Sequence, residues 1–147
     1  MGKLLVVYHS LGGNTKAAAE SLASGAKEVK GTQVVIKEGL KANPDDLLKC
    51  DGVAFGTPDY FSYMAGGLKD FFDRTFYPTQ GRVTDKPYAA FVTHGGGGKA
   101  QESVESICRS FKFKKVADTL LIKGKPDADA EKRLKELGKK LAQSVSG

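Results

Sequence analysis

The feature that most limits this chain is an alternation. Short apolar runs recur, and each is followed by a stretch with apolar residues at helical spacing. Lys3–Tyr8 (KLLVVY) is a continuous apolar run and reads as a strand buried on both faces. A helical stripe starts at Asn14 with Ala18, Ala19, Leu22, Ala26 and Val29, and Gly31 ends it. Residues 32–37 (TQVVIK) read as a second strand, and Asn43-Pro44 caps and opens a short helix through Leu47 and Leu48. Residues 52–55 (GVAF) read as a third strand, followed by a loop over 56–63 and a helix bearing Leu68, Phe71, Phe72 and Phe76. Residues 88–93 (YAAFVT) read as a fourth strand, then a glycine run, then a helix with Val104, Ile107, Cys108 and Phe111. A fifth strand spans 116–122, with Ala117 and Asp118 interrupting it; residues 112–115 before it read as a solvated turn. The last helix carries Ala130, Leu134, Leu137, Leu141 and Val145 on one narrow face, with Asp127 or Asp129 as its cap.

Five strand–helix units in this order require right-handed crossovers. The expected fold is therefore α/β: a three-layer, doubly wound sheet of five parallel strands with helices on both faces. At 147 residues the chain is the size of one domain, spanning 1–147. No apolar stretch approaches the ~18–20 residues of a membrane span, and no signal or lipidation pattern is present. The expected setting is cytoplasmic, with no membrane partner. Cys50 and Cys108 lie far apart in no paired motif, so they read as buried thiols. His9 and His94 have no acidic cluster beside them, and no metal site is expected.

Charge is uneven. Residues 1–73 hold 8 Lys/Arg and 9 Asp/Glu, whereas residues 74–147 hold 15 and 8. A basic half suits an anionic partner or a solvated helical surface. Glycine is also unusual, at 18 residues, and it clusters at Gly12-Gly13, Gly66-Gly67 and Gly95 to Gly98.

In an open parallel sheet, ligands bind beyond the carboxyl ends of the strands. Three loops at that edge stand out. The first contains Ser10, Leu11, Gly12, Gly13, Asn14 and Thr15. It offers hydroxyl and amide donors, unobstructed backbone N–H groups and a helix N-terminus, the makings of a phosphate cup. It lacks the Gly-Lys-Ser/Thr of a Walker loop. The alternative is a polar strand-to-helix turn. The second loop holds Thr57, Pro58, Asp59, Tyr60, Phe61 and Tyr63. Three aromatics at an exposed sheet rim suit a flat heteroaromatic ring, or else a subunit interface. The third loop, Thr93, His94, Gly95, Gly96, Gly97 and Gly98 with Lys99, presents several backbone donors to a ring edge. Together the three describe a site for a mononucleotide with a large planar ring.

These segments carry a resemblance over essentially the whole chain. The run Ser10 to Thr15 resembles the phosphate loop of flavodoxin-like FMN-binding proteins, with Gly12 standing where the family usually has Thr. The run from Gly56-Thr57-Pro58 through Tyr60-Phe61, Met64, Gly66 and Lys69 is similar to a signature of the tryptophan-repressor-binding-protein type, a multimeric flavodoxin and NAD(P)H:quinone oxidoreductase group. Thr93 with its glycines and Gln101-Glu102 is similar to the same group's glycine-rich loop. The resemblance implies a flavodoxin-like strand order 2-1-3-4-5 and non-covalently bound FMN. It implies that Ser10 to Thr15 hold the phosphate, that Thr57 to Phe61 line the ring, and that Thr93 to Gly98 reach its other edge. That group is longer, and its ring-stacking His after the fourth helix has no counterpart between Phe111 and Val116.

The expected function is electron transfer through FMN, between redox partner proteins. The alternative is an NAD(P)H-dependent quinone or flavin reductase. A weaker alternative is a non-redox binding module with a basic face, although nucleic-acid binding is not expected because Lys and Arg are not interleaved with stacking aromatics. The flavin would be the redox centre, with no catalytic side chain and with His94 as a tuning residue. Positive charge near the ring favours reduced anionic flavin, so the fully reduced state should form at a higher potential than in acidic flavodoxins. A monomer and a homo-oligomer joined through the flavin-edge loops are both compatible with the sequence.

Overall fold

The computed structural model describes residues 2–145. In chain order the elements are β1 (Lys3–Tyr8), α1 (Asn14–Lys27), β2 (Gln33–Glu38), α2 (Pro44–Lys49), β3 (Gly52–Tyr60) and β4 (Tyr63–Met64). There follow α3 (Gly66–Thr79), β5 (Pro87–His94), α4 (Ala100–Phe111), β6 (Lys114–Lys115), β7 (Leu120–Lys123) and α5 (Ala128–Val145). The strands run β2-β1-β3-β5-β6, with β7 also pairing β5 further along. Every pairing is parallel except the β3–β4 hairpin. With β6 and β7 as two halves of one edge strand, this is the strand order 2-1-3-4-5 that the resemblance implied. Among the described residues no helix is long and apolar enough to cross a membrane.

Strand alternation sends side chains to two cores. Leu5, Val7, Val53 and Phe55 pack with α3 and α4 through Leu68, Phe71, Phe72, Val104 and Phe111. Leu4, Val6, Ala54 and Phe91 pack with α1 and α5 through Leu22, Ala26, Leu134 and Leu141. On the second face the two helices touch backbone to backbone. A Cβ at Gly25 would lie 2.0 Å from the Lys135 carbonyl oxygen, and one at Gly138 would lie 2.0 Å from that of Leu22. The other face is filled by rings, with Phe55 and Phe72 centroids 4.8 Å apart and Phe111 stacked on Phe113 at 5.0 Å.

Three expectations are corrected, and one open choice is decided. The third strand does not stop at Phe55: Gly56, Thr57 and Pro58 continue its ladder opposite Phe91, Val92 and Thr93. It then turns back on β4. Pro and Gly read as loop, yet Gly56 is required here, because a Cβ would meet the Phe91 ring at 2.3 Å. The fifth strand is split by the polar stretch around Asp118, and Lys114-Lys115, read as a turn, is its first half paired to β5. α1 ends at Lys27, and Val29 packs on the core from outside the helix. Asp127 caps α5 by accepting from the Ala130 N–H at 2.8 Å, while Asp129 pairs with Arg133.

Candidate functional site: a cleft at the carboxyl edge of the sheet

Strands β1, β3, β5 and β7 all end at one edge, and their following segments enclose a cleft of about 270 Å³. The first wall is the β1–α1 turn, with Ser10, Leu11, Gly12, Asn14 and Thr15. The second is Pro58, Asp59 and Tyr60 at the end of β3. The third is Thr93, His94 and Gly95 at the end of β5, joined by Gly124 after β7.

The local chemistry explains each wall. Gly13 sits at the α1 N-cap with φ 100, a left-handed conformation that suits glycine, and no side chain caps the helix. The Ser10 hydroxyl accepts from the Gly13 N–H at 3.0 Å, which closes the turn. The first turn of α1 holds no acidic residue, so its N–H groups and positive dipole end are left to the cleft. Thr15 is buried beneath it and shares a 2.7 Å hydroxyl contact with Thr93, tying the first wall to the third. A Cβ built on Gly12, Gly95 or Gly96 meets nothing within 4 Å, so a side chain there would stand in open space.

Asp59 organises the second wall. One carboxylate oxygen accepts from the Ser62 N–H at 2.9 Å and the other from the Ala100 N–H at 3.3 Å. It thereby fastens the β3–β4 hairpin to the start of α4, which has no side-chain cap of its own on Lys99. Ser103 adds a second tie, accepting the Met64 N–H at 3.0 Å. Behind this, Glu105 is buried on α4. Burial pushes its carboxyl up, but hydrogen bonds from Thr119 and Gln101 and the charge of Lys115 outweigh that and hold it below the ordinary range.

Six expected site residues do not line the cleft: Gly13, Thr57, Phe61, Gly96, Gly97 and Gly98. Thr57 is fully buried, and its hydroxyl accepts the Ala65 N–H at 2.9 Å and donates to the Pro58 carbonyl at 2.7 Å. Phe61 stands at the hairpin tip, fully exposed, with φ 58. Gly98 takes φ 76 and packs against Leu121 and His94. His9 turns its ring edge-on to Tyr60 at 6.4 Å and so close to Gly67 that a Cβ there would lie 2.1 Å from Nδ1. His94 lines the cleft with its Nδ1 buried and lacking a partner among the described residues. Gly124 is the lining residue that the sequence reading missed. Its signal was a glycine directly after the last strand; it takes φ 71 and donates its N–H to the His94 carbonyl at 2.9 Å. The thiols lie elsewhere in the core. Burial pushes Cys50 up to about 11 against the pull of Lys86, and pushes Cys108 well above the ordinary thiol range, which disfavours the thiolate of each.

Known proteins are similar to this chain in sequence and fold. Residues 3–127 match the family described as NADPH-dependent FMN reductase. A flavodoxin of Aquifex aeolicus is 32% identical over 99% of this chain and 88% of its own length. An NAD(P)H dehydrogenase (quinone) of Acidithiobacillus ferrooxidans is 35% identical over 77% of this chain and 67% of its own. The solved structure of a flavodoxin from the domain Archaea superposes with a TM-score of 0.90 at 28% identity, covering 97% of this chain and 98% of the other. The fold is flavodoxin-like, and the chain belongs to the NADPH-dependent FMN reductase family.

Proposed function

We propose that this single-domain chain is an FMN-binding redox protein that passes electrons through a non-covalently bound flavin. The observation that carries this reading is the uncapped, acid-free start of α1, opening with Ser10 and Asn14 onto a cleft whose opposite walls are Tyr60 and His94-Gly95. The donor set fits the group: N–H groups and hydroxyls for a phosphate at one end, an aromatic and a glycine backbone for a planar ring at the other. Open space in front of Gly12 and Gly95 fits a cradle that a side chain would obstruct. When bound, FMN supplies one- and two-electron chemistry.

The chain's own residues then have separable tasks. Ser10, Gly12, Asn14 and Thr15 hold the phosphate end, with Gly13 setting the turn. Pro58, Asp59 and Tyr60 flank the ring, with Thr57 fixing their backbone from below and Phe61 beyond them at the tip. Thr93 supports the floor through Thr15, and His94 with Gly95 borders the far edge, with Gly96 to Gly98 completing that loop. The absorption spectrum of the purified protein, with release of the chromophore by acid, tests the reading. A colourless protein that stays colourless after soaking in FMN overturns it.

A second reading, direct oxidation of NAD(P)H with reduction of a quinone or flavin, is favoured by the family match and the quinone-dehydrogenase relative. NADPH consumption by the holoprotein with a benzoquinone separates the two, since an electron carrier between proteins shows no turnover. Both readings are placed in the cytoplasm.

A further inference from the structure

We propose that the rim of the cleft docks a small acidic electron-transfer protein, held by Lys99, Lys123 and Lys125 around the exposed Phe61. The proposal rests on the flavin reading above and reverses the charge polarity of acidic flavodoxins. Three observations on one strip of surface carry it.

The first is a set of unpaired cations. Lys123 is in register with His94, and Lys125 lies one residue beyond Gly124, both cleft-lining positions. Lys99 begins α4 beside Gly98, which packs on His94 and Leu121. All three are exposed, and among the described residues none has an ion-pair or hydrogen-bond partner for its ammonium.

The second is that the nearby acids are engaged. Glu102 pairs with Arg109 at 2.9 Å, Asp129 with Arg133 at 3.2 Å, Asp127 caps α5 and Asp59 accepts two backbone N–H groups. Glu102 and Asp129 are neutralised by their arginines, whereas Asp59 and Asp127 keep their charge; the three free ammonium groups outnumber these two carboxylates, so the strip is net positive and complements an acidic face.

The third is a strained apolar tip. Phe61 and Ser62 both take left-handed backbone, φ 58 and 63, at the two-residue turn of the β3–β4 hairpin. Asn-Gly serves such turns without a bulky side chain. Phe61 is instead held there by the Asp59–Ser62 bond and projects its whole ring into solvent. Strain that presents a ring to water is explained by a surface that covers the ring. Leu11 is also exposed, on the opposite wall of the cleft. An apolar centre within a charged surround is the anatomy of a transient protein interface.

The test uses FMN-loaded full-length protein, reduced stoichiometrically and mixed by stopped flow with oxidised rubredoxin, an acidic one-electron acceptor, or with oxidised cytochrome c, a basic one. Each acceptor iron gains one electron, and each fully reduced flavin yields two and releases its protons to solvent. Reduction of rubredoxin should slow about tenfold between low and high salt, and that of cytochrome c should quicken. The triple variant Lys99→Glu, Lys123→Glu, Lys125→Glu should exchange the two salt dependences. Phe61→Ser, compared at equal bound flavin, should slow rubredoxin severalfold at every salt concentration without changing the salt slope. Equal salt responses for both acceptors, an indifferent triple variant, or a stable homodimer in sedimentation that buries the rim overturns the proposal. Calorimetric titration of flavin-free protein with rubredoxin keeps this result separate from failure to bind FMN.

Discussion

The helices of this molecule begin in two different ways. α2 starts with a capping box, in which the Asn43 side chain accepts the Asp46 N–H and the Asp46 side chain accepts the Asn43 N–H. α5 starts with Asp127 on the Ala130 N–H. These helices satisfy their own first turns, and neither first turn lines the cleft. α1, α3 and α4 start without a side-chain cap, and of these α1 alone puts its first turn, Asn14 and Thr15, in the cleft. A side-chain cap stabilises a helix locally by occupying the donors that an anion would otherwise use. α1 is held from the side instead, by the Thr15–Thr93 contact, whereas the N–H of Ala100 that opens α4 is taken up by Asp59. Local stability and a free donor set are thus alternatives, and α1, whose first turn lines the cleft, is the helix left with free donors there.

The sharpest way to break this contrast is to give α1 an acidic cap. Gly13→Asp places a carboxylate among donors meant for a phosphate, at a backbone angle that disfavours any side chain. FMN affinity should fall about 100-fold, roughly 2.7 kcal/mol, as read by fluorescence titration. Unchanged affinity would mean that the helix start plays no part in binding.

Thr15→Val removes the lateral support while keeping the side-chain shape. The Thr93 hydroxyl is left buried without its partner, and urea unfolding should show a loss of about 1–3 kcal/mol. Asp127→Ala tests the capped class: stability should drop about 1 kcal/mol with FMN affinity unaltered. An altered affinity there would erase the distinction between the two kinds of start.

The smallest effect concerns Glu105. Its folded carboxyl titrates below its ordinary value of 4.5, so the unfolded chain takes up this proton first as the pH falls. The stabilisation from Glu105 is complete above the ordinary value and is lost as the pH drops through the lower folded one. Glu105→Gln should flatten that limb of the stability–pH curve. A slope identical to that of the unmodified protein would show that α4 is not held through this carboxylate.

The strand–helix alternation and the three loops of the cleft were legible in the sequence because periodicity and turn chemistry are local properties, whereas the strand order came from the family resemblance. The run Leu4-Leu5-Val6-Val7 has no polar position to expose, and Asn43-Pro44 carries its own start signal. What escaped was decided at a distance. Gly56 to Pro58 looks like loop until Phe91 to Thr93 lies beside it and completes its ladder. Gly124 carries no chemical mark, and it lines the cleft only because β7 ends against β5. Asp59 reads as a residue facing the ring, whereas its two backbone partners lie 3 and 41 residues further along. Sequence alone determined which segments are buried and which carry donors, since hydrophobic pattern and backbone chemistry act over a few residues. Tertiary structure alone decided which donors stay free, because a hydrogen bond is satisfied by whatever the fold brings within about 3 Å.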